Sequence, residues 1–165
     1  MRIRRFEQEI TVARPLEEVF AFFSDAGNLD KVTPPWLGFQ ILTPLPIRMG
    51  VGTEIRYRLK IHGVPVGWRT EITVWEPPHR FVDTQRQGPY RQWIHEHRFT
   101  AVPGGTRMRD TVDFALPGWI LEPLIYRWLV RRDIEQIFSF RQRIFRDLFG
   151  DRSSPPGDSR QGGSA

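Results

Sequence analysis

Four ionisable residues near the middle of the chain, Asp83, His95, His97 and Asp110, have types and spacing that could do chemistry. The stretches 81–87, 91–101 and 106–115 alternate apolar and polar residues with the period of a strand. If Phe81 and Phe99 face a core, period 2 turns Asp83, Gln85, Trp93, His95 and His97 to the same side. On the third stretch Met108, Val112 and Phe114 carry Asp110 inward with them. A three-residue turn at Gly88–Pro89–Tyr90 sets Asp83 opposite His95. A turn spanning Val102 to Gly105 sets His97 opposite Asp110. Directly opposed side chains lie ~4.5–5.5 Å apart at Cβ, within reach of a carboxylate–imidazole hydrogen bond.

An inward polar group left unpaired costs several kcal/mol, so pairing is the first expectation. Such pairs could form a network that fixes sheet register, or meet a ligand. They could also serve general acid–base catalysis, with His95 or His97 as base and Asp83 or Asp110 orienting it. Two His and two Asp could ligate zinc, but side by side they pair more readily with each other. Neither a metal nor a cofactor is therefore expected. No nucleophile motif, phosphate loop or zinc signature occurs. One further charge is out of place. Arg141 sits within the apolar stripe of a helix, where a buried guanidinium must find an anion or reach water. It could close a network with Asp83 or Asp110, or take the carboxylate of an anionic amphiphile.

That helix runs from about Asp133 to Phe149. At ~100° per residue Ile134, Ile137, Phe138, Ile144, Phe145 and Leu148 share one side, and such a stripe must lie on something apolar. Asp133 suits a cap at its start and Gly150 its left-handed end. Upstream, Met1 to Val12 reads as a strand with Phe6, Ile10 and Val12 inward. Pro15 opens a short helix that buries Leu16, Val19, Phe20 and Phe23. A turn-rich connection follows, with a short strand at Phe39–Thr43. Ile55, Tyr57, Leu59 and Ile61 continue through a His62–Gly63 hairpin into Val66, Trp68, Thr70, Ile72 and Val74. Six or seven antiparallel strands with segregated helices mean α+β. Residues 1–150 form one domain, and the Ser-, Gly-, Pro- and charge-rich stretch 151–165 reads as a disordered tail.

Leu121, Leu124, Ile125, Trp128 and Leu129 form a second helical stripe within Trp119–Val130, facing roughly opposite to the later one. The chain must bend or break near Arg131–Asp133. The segment suits a flap beside an opening, or a plain helix on the sheet edge.

Composition narrows the partners. With no cysteine there is neither disulfide framework nor thiolate metal site. No stretch approaches ~20 apolar residues, and the basic N-terminus lacks an apolar run after it, so a cytoplasmic location is expected. The net charge of +5 comes almost wholly from arginine. These arginines alternate with Glu and Asp, as a solvated sheet face does, so a nucleic-acid partner is not expected. Peripheral membrane contact through the arginines and the Trp128 stripe stays open; oligomeric state is not encoded legibly.

Taken together, Pro15–Phe20, Gly88–Pro89–Tyr90 leading to Trp93, His95 and His97, Gly104–Gly105–Thr106 with Asp110, and Phe138 to Arg141 resemble the SRPBCC superfamily, the START and Bet v 1-like proteins, over roughly residues 2–149. The nearest branch is the bacterial polyketide cyclase/dehydrase-like and ligand-binding one. The resemblance implies a helix-grip fold, a curved antiparallel sheet wrapped around the long C-terminal helix. It also implies a cavity between them for a lipid, polyketide or isoprenoid-like molecule. On that reading the ligand-facing set is Tyr57, Trp68, Phe81, Asp83, Trp93, His95, His97, Phe99, Met108, Asp110, Phe114, Phe138 and Arg141. The expected function is binding of a hydrophobic or amphiphilic small molecule. A cyclase/dehydratase using His95 or His97, and a ligand-free interaction module, are the alternatives.

Overall fold

The computed structural model describes residues 2–118 and 122–150. Seven antiparallel strands form one sheet in the order β1-β7-β6-β5-β4-β3-β2. They are β1 (Arg4–Val12), β2 (Gln40–Ile41), β3 (Glu54–Ile61), β4 (Val64–Glu76), β5 (Arg80–Gln87), β6 (Gln92–Val102) and β7 (Gly105–Ala115). Apart from β1, which returns to pair with β7, each strand neighbours the next in sequence. Short turns make that possible. At the β3–β4 tip His62 and Gly63 both have positive φ, 49° and 79°, as a two-residue turn matching strand twist requires. At the start of β7, a side chain on Gly105 would run into the backbone of Val12, so only glycine lets β1 close against this hairpin.

Two irregularities bend the sheet. The β4–β5 register shifts between Arg69 and Thr70 and again between Ile72 and Val74. The second shift corrects a sequence expectation. Period 2 places Val74 on the inner face with Ile72, but the extra residue Thr73 flips the alternation. Trp75 therefore pairs with Phe81 and packs on Phe20. Bulges of this kind add local twist and curvature.

The helices lie on the inner face. Helix α1 (Leu16–Phe23) follows Pro15 and buries Leu16, Val19 and Phe20. A core cluster joins these to Ile10, Val12, Phe99, Met108 and Phe145. A second cluster gathers Val112, Phe114, Leu116, Ile134 and Phe138. The C-terminal helix differs from expectation at its start. Helix α3 spans Arg131–Phe149 and continues without a break from α2 (Glu122–Ile125) through a π-helical turn at Tyr126–Val130. Asp133 is thus inside the helix rather than capping it, and its carboxylate meets His62 Nε2 at 2.8 Å, tying the β3–β4 tip to the helix. The wider π turn changes the angular phase of the side chains, which is how two stripes of different direction share one helix.

Along α3 Ile134, Phe138, Phe145 and Phe149 are buried, whereas Leu148, expected on the same stripe, is exposed. On the preceding segment Leu124, Ile125, Trp128 and Leu129 face solvent, and Tyr126 and Val130 pack on the second cluster instead. Trp119 and Leu121 lie outside the described residues, as does the stretch 151–165. No helix among the described residues is long and apolar enough to cross a membrane.

Candidate functional site

The sheet and α3 do not close completely on one another. A cavity of about 190 Å³ separates them. Strands β3 and β4 give it Ile55, Tyr57, Leu59, Trp68, Thr70 and Ile72; β5 and β6 give Phe81, Asp83, Trp93, His95 and His97. Helix α3 supplies Ile134, Ile137, Phe138 and Arg141 from above. Aromatic rings pack around the enclosure: Trp68 stacks on Tyr57 at 5.8 Å between centroids and meets Trp93 edge-on at 5.5 Å.

The expected strand register is present, with Asp83 opposite His95 and His97 opposite Asp110. The side chains do not form two separate pairs, however. Asp110 Oδ1 lies 3.1 Å from His95 Nε2 and 2.8 Å from His97 Nδ1. Asp83 Oδ2 lies 3.1 Å from His97 Nε2 but 3.7 Å from His95 Nδ1, the latter too long for a hydrogen bond. The diagonal contacts His95–Asp110 and His97–Asp83 thus replace the direct Asp83–His95 bond. Opposition fixes Cβ atoms, but rotation about χ1 and χ2 decides which ring nitrogen reaches which oxygen. Thr70 Oγ1 donates to Asp83 Oδ1 at 3.2 Å. The result is one four-membered network across β5, β6 and β7.

Its electrostatics follow from burial and pairing. Burial would raise the Asp110 carboxyl, but hydrogen bonds from both histidines outweigh it and hold Asp110 far below the usual carboxylate range. Asp83 is lowered in the same way, chiefly by His97. Burial also drives the histidines toward the neutral form. At His97 the bonds to Asp110 and Asp83 overcome it and raise the pKa above 6.5. At His95 burial and the neighbouring His97 charge win, and the pKa falls below 6.5. The two rings therefore hold unequal shares of charge. Of the two rings, His97 is the one that holds a proton to the higher pH.

Arg141 does not complete the balance. Among the described residues it makes no ion pair with Asp83 or Asp110. Its Nε is buried without a hydrogen-bond partner, and its guanidinium carbon stands 5.5 Å from the Phe138 ring centroid. Trp68 Nε1 is a second buried donor without a partner. Tyr57 feels both charges: burial first, then Asp83, push its hydroxyl well above 10.0, and Arg141 partly offsets them.

Of the thirteen residues expected to face a ligand, Tyr57, Trp68, Phe81, Asp83, Trp93, His95, His97, Phe138 and Arg141 line the cavity. Phe99 and Met108 instead pack in the first core cluster, Phe114 in the second, and Asp110 sits behind the two histidines. Sequence reasoning passed over Tyr90, Leu37 and Phe39, which also border the cavity. Gln85, read as inward, accounts for Tyr90: its amide bonds the Tyr90 carbonyl at 2.7 Å and fixes the turn. Leu37 and Phe39 come from the Pro-rich connection, where no period marks an inner face.

A family model described as "Polyketide cyclase / dehydrase and lipid transport" matches residues 4–139. No curated protein matches the chain in sequence. Several solved structures share the fold. An aromatase/cyclase from Streptomyces sp. R1128 superposes with a TM-score of 0.65 at 17% identity, over 89% of this chain and 96% of its own. A START superfamily protein from Mycobacterium smegmatis gives 0.64 at 14%, over 87% and 98%. A protein from Thermus thermophilus gives 0.65 at 19%, over 89% and 99%. These likenesses show a shared helix-grip fold, with the sheet wrapped on the C-terminal helix.

Proposed function

Because the chain belongs to the polyketide cyclase/dehydrase and lipid transport family, we propose that it binds one hydrophobic or amphiphilic small molecule between the sheet and α3. The observation that carries this reading is the cavity itself, walled by aromatic and aliphatic side chains with Arg141 on its α3 side. An apolar enclosure with a few convergent polar groups is the usual form of a small-molecule site. Arg141 lines the cavity and its guanidinium only donates, so the matching ligand presents acceptor oxygens. An apolar cavity of ~150 Å³ already holds benzene. About 190 Å³ therefore takes a ring-sized body or a short alkyl stretch, with a carboxylate or similar anion toward Arg141.

A second reading is supported by one observation. His95 lines the cavity and is held from behind by Asp110, the arrangement of an oriented general base. On that reading a polyketide-like substrate is cyclised or dehydrated, and His95→Gln removes turnover while leaving binding intact.

Native mass spectrometry of gently purified protein tests the first reading. The expected spectrum shows a small-molecule increment of one per chain, lost on organic extraction and regained with an added medium-length fatty acid. A chain that emerges bare and takes up none of the added acid overturns it.

A further inference from the structure

The histidine–aspartate network has two sides that differ in chemistry. Behind the sheet-facing side, Asp110 Oδ1 receives one nitrogen of each ring, Nε2 of His95 and Nδ1 of His97. A neutral imidazole has one N–H, so a ring that donates to Asp110 offers a lone pair at its other nitrogen. Those other nitrogens, His95 Nδ1 and His97 Nε2, both point to Asp83 Oδ2, at 3.7 and 3.1 Å. Three lone-pair atoms from three side chains thus converge within 4.8 Å of one another. Such convergence needs positive charge at its centre. A proton shared by His97 and Asp83 supplies it in one way, and leaves His95 Nδ1 beyond hydrogen-bond reach of Asp83 Oδ2.

We propose that Asp83, His95 and His97 form a binding site for one divalent transition-metal ion of the zinc or ferrous class, with Asp110 as the outer carboxylate that orients both rings. Ligands ~2.0–2.1 Å from a tetrahedral ion stand about 3.3 Å apart, between the separations of 3.1 and 3.7 Å found here. Two imidazoles and one carboxylate with positions left open are the donor set such ions favour. The outer shell is complete as well. A ligating histidine ordinarily donates its second N–H to a carboxylate, and Asp110 accepts from both. Thr70 holds the Asp83 oxygen that does not ligate. The three ligands line the cavity and Asp110 does not, so the open coordination positions face the space where a ligand enters. The inference goes beyond the ligand-binding reading and does not depend on it, since an apolar probe binds or fails to bind the chelator-treated chain regardless.

Cobalt(II) titration of the full chain after chelator treatment tests the site. The expected result is one ion per chain, with the strong visible bands of four- or five-coordinate cobalt and displacement by zinc. Asp83→Asn and His97→Gln abolish the bands, and Asp110→Asn weakens affinity by roughly 10–100-fold. His62→Ala, which removes the exposed histidine paired with Asp133, leaves them unchanged. Two outcomes overturn the proposal: only the faint spectrum of hexaaqua cobalt with folded wild-type protein, or stoichiometric binding that survives the Asp83 and His97 substitutions. The wild-type spectrum decides alone should a variant fail to fold.

Discussion

Phe138 and Phe145 occupy the same helix two turns apart, and truncating each to alanine separates a cavity wall from a packed core. Phe145 is 1% exposed, sits in the first core cluster and meets Phe23 edge-on at 4.5 Å between ring centroids. It does not touch the cavity. Removing a fully enclosed phenylalanine costs ~3–5 kcal/mol, from lost transfer energy and the void left behind. Phe145→Ala should fall near the middle of that range, about 4 kcal/mol. Phe138 is as well hidden, 3% exposed, but borders the cavity. Its ring touches Phe6 at 4.7 Å and His95 at 5.7 Å, while the cavity side has no atoms to lose, and contacts already absent contribute nothing. Phe138→Ala should therefore cost about 2–3 kcal/mol. Equilibrium unfolding in urea measures both, with unchanged denaturant slopes as the condition for comparison. Equal losses near 4 kcal/mol, or a larger loss at Phe138, would refute the reasoning, because the ring would then be enclosed on all sides.

Other expectations follow from the polar groups. Arg141→Met keeps the stem and removes the charge; a charge-assisted bond of ~1.5–3 kcal/mol corresponds to roughly a 10–100-fold loss of fatty-acid affinity. The matching fatty alcohol should bind unchanged, and calorimetric titration that finds equal losses for acid and alcohol contradicts an anion-recognition role. His97→Ala should destabilise by ~1–3 kcal/mol rather than by the ~3–5 kcal/mol of a wholly orphaned buried ion, because Asp110 keeps its bond from His95 and Asp83 its bond from Thr70; a larger loss in thermal unfolding would show that these remaining bonds do not hold the two carboxylates. In chelator-treated protein the raised His97 pKa adds stability that is fully present below 6.5 and lost as pH rises through the folded value. His97→Gln should flatten that loss above pH 6.5, and a wild-type curve already flat there contradicts a raised pKa. The lowered carboxyls of Asp83 and Asp110 act in the opposite sense, adding stability above 3.8 that is lost on acidification through their folded values.

The inner face of the sheet was legible because side-chain alternation has a strict period, and two tight turns then fixed which residues oppose. Asp83 against His95 and His97 against Asp110 follow from that arithmetic. The diagonal bonding does not, since it depends on ring rotation that no sequence spacing encodes. Thr73 shows a second limit: one extra residue in a strand leaves no compositional mark, yet it exchanged Val74 for Trp75 on the inner face. The π turn at Tyr126–Val130 was visible only indirectly, as two stripes that one ideal helix could not reconcile. The aromatic inventory could not distinguish a cavity from a filled core either. Phe99, Met108 and Phe114 have the same character as Phe81 and Trp93, and only packing decides which of them borders the open space.

Ligand-induced change in tryptophan emission tests the binding account most directly, because Trp68 and Trp93 both line the cavity. Titration with a medium-length fatty acid should shift the emission and saturate at one molecule per chain. The shift should vanish in the Trp68→Phe, Trp93→Phe double variant while calorimetry still records binding. Saturating acid that leaves the wild-type spectrum unmoved and releases no heat would contradict the claim that this cavity receives a small molecule.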